Sequence, residues 1–244
     1  MMARSTLPEN FLAQATPFLD ALVGWEGNLT SLNWEDLAAE AQAGQVAVFS
    51  VDMLNGFCHE GALSSSRVEG IIPAVVKTFQ AAYALGIRDF VLAQDAHTAL
   101  SAEFAYFPPH CQVGTSEAET IPELAGLSFA DLYKIVSKNS LNAFIGTSLG
   151  AWLETQADLN VAIIVGNCTD LCVYQTAMQI KLHALAHNNS KRRVIVIENA
   201  VQTYDTPVAV AQELGILPHD GDILHLMALY QMALNGIEVV REMK

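Results

Sequence analysis

The sequence predicts an α/β fold: a mainly parallel six-stranded sheet with helices on both faces, in a three-layer, Rossmann-like arrangement. Two observations predict it. Short apolar, β-branched runs alternate with segments of helical periodicity along most of the chain, which is the pattern of βαβ units. Of 244 residues, 52% are apolar and 16% charged, enough to cover both faces of such a sheet.

Residues 1–44 read as an N-terminal helical extension, with Ser31 or Asn33 as N-cap ahead of "WEDLAAEAQAG", and 45–244 as one domain. "QVAVFSVDM" (45–53) is the first strand: short, apolar and rich in valine. The pattern 65–86 predicts a helix that stops at Gly86. Strands follow at 88–95 and 131–138, a helix at 147–157, and a fourth strand at 160–167. A long helix is expected over 169–187 and a fifth strand over 192–199. Helical patterns near 206–214 and 221–235 precede "IEVV" (237–240), which closes the sheet.

Composition excludes some functions. A net charge of −14 repels phosphate backbones, so no nucleic acid is expected as a partner. No apolar run approaches the roughly 20 residues of a membrane helix, and the N-terminal stretch lacks the apolar core and cleavage site of a signal peptide. Four cysteines (Cys58, Cys111, Cys168 and Cys172), none in C-x-x-C spacing, suit reduced thiols in a cytoplasmic protein, with one buried disulfide as the alternative. Met227, Met232 and nearby leucines form a stripe that suits core packing or contact in a homo-oligomer. Trp25, Trp34 and Trp152 read as packing residues. His59, His183, His187, His219 and His225 read as loop or helix-face residues, without an acid partner at ligand spacing for the last four.

In a parallel sheet the ligand crevice lies beyond the C-terminal strand ends. There the sequence places Asp52, Asp95, Lys138, and Cys168 with Cys172. Cys172 falls in the first turn of a helix that Thr169 or Asp170 can cap. Free N–H groups there favour a thiolate and can receive an oxyanion. Asp52 suits a base for that thiol, or a turn cap. Lys138 suits a charge that holds a neighbouring carboxylate ionised, or a solvated side chain. The loop "DAHTALSAEFAYFPPH" (95–110) offers Asp95, His97, Glu103 and His110, a donor set for Zn²⁺, Fe²⁺ or Mn²⁺. By spacing alone it reads equally as a surface loop.

Five segments in order, "VDMLNGFCHEGAL", "DAHTALSAEF", "FPPHCQVGT", "SKNSLNAFIGTSL" and "GNCTDLCVYQTA", resemble the isochorismatase-like cysteine hydrolases over about residues 45–241, and within them the nicotinamidases. The resemblance implies Cys172 as nucleophile with Asp52 and Lys138 completing a triad. It implies one divalent metal ion on Asp95, His97 and His110, with Glu103 as a further carboxylate, direct or through water. Phe57 and Phe107 match the aromatic positions that flank a pyridine ring; Phe107 stands where nicotinamidases often carry Trp. A cis peptide is implied at Asn167–Cys168, aiming the Cys168 N–H beside that of Cys172 into an oxyanion hole. Cys168 replaces a commoner small residue, which raises a disulfide with Cys172 as an expectation. The implied reaction is hydrolysis of nicotinamide, a small-molecule substrate, through a thioester. The alternatives are a metal-free isochorismatase-type or other amide hydrolase, and a catalytically silent binding protein.

Overall fold

The computed structural model describes residues 7–244, so the first six residues of the expected N-terminal extension lie outside the described residues. Six parallel strands form one sheet in the order β3-β2-β1-β4-β5-β6: β1 (Val46–Val51), β2 (Asp89–Asp95), β3 (Tyr133–Lys138), β4 (Val161–Asn167), β5 (Arg193–Gln202) and β6 (Glu238–Val240). Alternation along β1 sends Val46 and Val48 into one apolar layer, and Ala47, Phe49 and Val51 into the other. Every residue of β1 and β4 is buried, as the centre of a doubly covered parallel sheet requires.

Two expected elements differ. The helix over 65–86 is two helices, Ser66–Glu69, capped by the Ser65 side chain on the Arg67 N–H, and Ile72–Leu85. Pro73 sits at the start of the second, where its missing N–H costs nothing, and Gly86 ends it at φ 106°. β5 runs past its expected end to Gln202 because its pairing with β4 shifts: Ile164 faces Val196, but Gly166 faces Val201 and Asn167 faces Gln202. That irregularity carries Thr203 and Tyr204 up to the C-terminal rim of the sheet.

The N-terminal helix Phe11–Gly27 contains Pro17 and packs on the helix Gly221–Leu234, where Tyr230 meets Phe18 and Trp25 edge-on. Asn33 caps the short turn Trp34–Leu37, with Asp36 accepting its N–H. Trp34, Leu37 and Ala41 are buried in one core layer, and Trp152 packs against Phe49 in the other. Backbone hydrogen bonds tie Leu32 and Trp34 to Glu242 and Lys244. Among the described residues no helix is long and apolar enough to cross a membrane.

β1 and β4 approach most closely at Gly166. Its φ is +115°, and a Cβ there would lie 2.0 Å from the Val51 carbonyl oxygen. Both facts demand glycine, one residue before Asp52 on one strand and two before Cys168 on the other. Gly166→Ala is therefore expected to destabilise the fold by about 4 kcal/mol or more, read as a lower urea midpoint; an unchanged midpoint would contradict the close approach.

Candidate active site

Four strand ends converge. The parallel register sets Asp95 beside Lys138, and Val51, just before Asp52, between Ala93 and Gly166. At φ 51° the Asp52 backbone leaves the strand through the left-handed region, a conformation costing about 1–3 kcal/mol for a residue with a Cβ. It is held there by its N–H on the Ala93 carbonyl (2.9 Å), and by the Asn167 amide on its own carbonyl (2.6 Å). The turn sends the carboxylate across the end of the sheet, where Oδ1 accepts the Asp95 N–H at 2.8 Å.

Lys138 is fully buried and meets three groups: Asp95 Oδ1 at 2.6 Å, Asp52 Oδ2 at 2.8 Å and Cys172 Sγ at 3.5 Å. Burial alone would strip its proton; the flanking Asp52, Cys172 and Asp95 reverse that and hold it well above the usual lysine range. Asp52 is pushed up to about 6, by burial first and by the Asp95 carboxylate second, against the pull of Lys138 and the Cys172 thiol. Asp95 is held well below its ordinary value: burial opposes this, but Lys138, His110 and His97 outweigh it. The Cys172 thiol is pushed well above its usual range by burial, with Lys138 opposing and Asp52 and Asp95 adding to the rise. Placement at a helix start thus does not make a resting thiolate. The site holds a thiol beside a carboxylate able to accept its proton.

Next to this group, ligand atoms of Asp95, His97 and His110 all lie within 4.8 Å of one another. A short backbone ladder explains why a long loop returns: the His97 N–H bonds the Cys111 carbonyl, and the Val113 N–H bonds the His97 carbonyl. Each imidazole is aimed through its other nitrogen. His97 Nδ1 meets Asn139 at 2.9 Å and Ser101 at 3.3 Å, and His110 Nδ1 meets the Pro108 carbonyl at 2.8 Å. Both Nε2 atoms then face Asp95, at 3.4 and 3.7 Å. His97 Nε2 is buried without a hydrogen-bond partner. An orphaned imidazole nitrogen beside an ionised carboxylate and a second imidazole fits a divalent cation. Glu103 is not part of this cluster; half-buried, it lines the adjoining cavity, its pKa raised by burial and by Asp95.

One cavity is lined by members of both groups, Asp52 and Cys172 from the first and Asp95 and His110 from the second. Asp52, Asp95, Cys168 and Cys172 form its floor, and Phe57, Phe107, Leu63, Leu141, Leu171 and Tyr204 its apolar walls. Among the described residues no lysine or arginine lines it. Sequence reasoning missed Leu63, Leu141, Leu171 and Tyr204. It also missed Phe104, whose ring lies 5.4 Å from that of His97, although its place inside the quoted loop was a usable signal.

The turn that carries Cys172 differs from the expected cap. Asn167–Cys168 is cis, and Thr169–Val173 forms one π-helical turn that leads into the helix Tyr174–Ala186. Neither Thr169 nor Asp170 caps it through its side chain. Thr169 Oγ1 meets His225 Nδ1 at 2.9 Å, and Asp170 Oδ2 meets His219 Nε2 at 2.9 Å. Asp170 lies below its usual value, burial being outweighed chiefly by the hydrogen bond with His219. The expectation of histidines without acid partners is thereby corrected. His183 faces Glu154 at 2.9 Å, with His187 at 3.8 Å, and His225 faces Glu198 at 3.9 Å. Arg192 donates to His183 Nδ1 at 3.2 Å, and His183 Nε2 faces Glu154. His59, partly exposed, meets Glu123 at 3.3 Å. Cys58, Cys111, Cys168 and Cys172 are all buried and free, and burial raises Cys168 to about 12.

Comparison with known proteins agrees with this geometry. The isochorismatase domain matches residues 46–216. Nicotinamidase 1 of Arabidopsis thaliana is 31% identical over 211 residues, covering 80% of this chain and 85% of that one. A nicotinamidase structure from Bacillus subtilis superposes with a TM-score of 0.63 at 25% identity, covering 81% of this chain and 99% of the other. A Pyrococcus horikoshii pyrazinamidase in complex with zinc gives a TM-score of 0.62 at 25% identity, covering 80% and 98%. With its thiol, acid and lysine gathered at the C-terminal rim of a six-stranded parallel sheet, the chain belongs to the isochorismatase family of hydrolases, and nicotinamidases are among its relatives.

Proposed function

We propose that this hydrolase converts nicotinamide to nicotinate and ammonia through a thioester on Cys172, with Asp52 and Lys138 as its catalytic partners. The observation that carries the reading is a shared cavity: the thiol, acid and lysine group and the Asp95, His97 and His110 group meet through the Asp95–Lys138 contact and open into one space. The walls favour a small flat ring, and a lining that includes Asp52, Asp95 and Glu103 but no lysine or arginine favours a neutral amide over a carboxylate-bearing substrate.

Asp95, His97 and His110 would hold a divalent cation such as Zn²⁺, Fe²⁺ or Mn²⁺, with Glu103 beside them. When bound, it supplies a Lewis-acidic centre for a pyridine nitrogen, a means of orienting the ring. Phe57 and Phe107 flank that ring. Because burial keeps Cys172 protonated at rest, Asp52 takes its proton as sulfur attacks the amide carbon. Lys138, 3.5 Å from Cys172 Sγ, balances the negative charge that passes from Asp52 to sulfur in that transfer. Backbone N–H groups of Cys168 and Cys172 receive the oxyanion, a contribution of about 10²–10³ in rate per donor in comparable sites. Asp52 then protonates the departing ammonia, and deprotonates the water that cleaves the thioester.

Purified wild-type protein supplied with Zn²⁺, Fe²⁺ or Mn²⁺ should release ammonia from nicotinamide; no release with any of the three would reject the substrate. Cys172→Ala should lower kcat by about 10⁴-fold or more while retaining metal by elemental analysis. His97→Ala should lose the metal and raise KM. If the ring nitrogen matters, benzamide should be turned over far more slowly than nicotinamide; equal rates would remove the metal from substrate recognition.

A further inference from the structure

The nucleophile turn is gripped from a distant part of the chain. His219 lies 49 residues beyond Asp170 in sequence, is 9% exposed, and holds the Asp170 carboxylate through Nε2 at 2.9 Å. Its other nitrogen, Nδ1, lies 3.0 Å from the Tyr204 carbonyl. Both partners are acceptors, so a ring protonated on both nitrogens satisfies both contacts. The imidazole also stacks on the Tyr204 ring, centroids 3.8 Å apart and planes 19° from parallel.

The histidine is itself fixed by backbone. Thr206 and His219 exchange both N–H···O bonds, at 2.7 and 3.0 Å, as an antiparallel bridge. The Gly221 N–H bonds Asp205 at 2.8 Å, and a Cβ at Gly221 would lie 2.7 Å from the Tyr204 carbonyl oxygen. Arg67 ties the Thr203 carbonyl from the other side at 3.1 Å. His219 is thus a rigid post rather than a loop side chain. It touches Asp170, which sits between Cys168 and Cys172, and Tyr204, which walls the cavity.

We propose that His219 is a positioning residue: through Nε2 and Asp170 it holds the Cys168–Cys172 turn against Asp52 and Lys138. The kinetic part of this proposal rests on the amide-hydrolase reading above. Nothing in the contact requires His219 to touch substrate.

The two ring nitrogens allow an atom-specific test. His219→Gln places an amide N–H near the position of Nε2 and can keep the Asp170 bond; His219→Asn reaches only the nearer Tyr204 carbonyl. Both lose the stacked ring equally. His219→Ala and His219→Asn should lower kcat for nicotinamide by about 10- to 100-fold with little change in KM, the scale expected when a reacting group is misplaced by about 1 Å. His219→Gln should recover most of that loss, and His219→Ala combined with Asp170→Ala should be no worse than either alone. Thermal unfolding of each variant confirms that a folded protein is compared. Should the alanine variant not fold, the Gln and Asn pair carries the test. Iodoacetamide alkylation of Cys172, followed by mass spectrometry, ranks the same variants without any substrate: Gln should match wild type, and Asn should depart from it. Gln and Asn variants alike in both kcat and alkylation rate would overturn the proposal. A wild type inert toward nicotinamide, with the alkylation ranking intact, would instead reject the substrate assignment and leave the positioning role standing.

Discussion

The whole site depends on one buried ammonium. Lys138 sits in the protein interior with Asp52, Asp95 and Cys172 around it, three groups from three other strand ends. A lone charge there would be expelled or neutralised, at a cost of several kcal/mol. Two carboxylates in contact would repel each other equally badly. Only together do these charges tolerate burial, so the lysine sets the ionisation of both acids. It draws Asp95 down toward a permanently ionised state, and Asp52 stays near 6 because burial and Asp95 outweigh the same attraction. Two aspartates with one cationic neighbour thereby acquire different chemistry.

That division matches the two halves of the cavity. Asp95 faces His97 and His110, where a fixed negative charge suits a cation. Asp52 faces the thiol, with a pKa raised to about 6 that suits a group exchanging a proton near neutral pH. The histidines are aimed by neutral acceptors, Asn139 and the Pro108 carbonyl, which leave their Nε2 atoms toward Asp95. Glu103 stands outside this cluster and adds charge to the wall of the cavity.

Much of this was legible in the sequence because it obeys local rules. Apolar runs marked the strands, and the parallel fold then sent Asp52, Asp95, Lys138 and Cys172 to one edge without further information. The D-x-H spacing and the double proline flagged the loop, although whether that loop returned was decided by the ladder between His97 and Val113. What stayed hidden depends on long-range pairing. The break near Gly70 follows from Pro73 restarting the helix, which a periodicity count passes over. Tyr204 reaches the cavity because the pairing of β4 and β5 shifts, and no residue type announces that shift. Free N–H groups at a helix start point to a thiolate, whereas burial of the sulfur, which only the packed structure reveals, raises the Cys172 pKa.

β3, which carries Lys138, is one of the two edge strands of the sheet and has a neighbour on one side alone, with much of its length facing solvent. Strands so placed are the ones most able to slide, and a slip of one residue would turn the ammonium to the opposite face. The attraction of Lys138 to two acids on the inner strands works against such sliding. Charge and architecture therefore latch each other: the buried charges meet where they do because the sheet is in step, and this edge strand keeps step because those charges hold it.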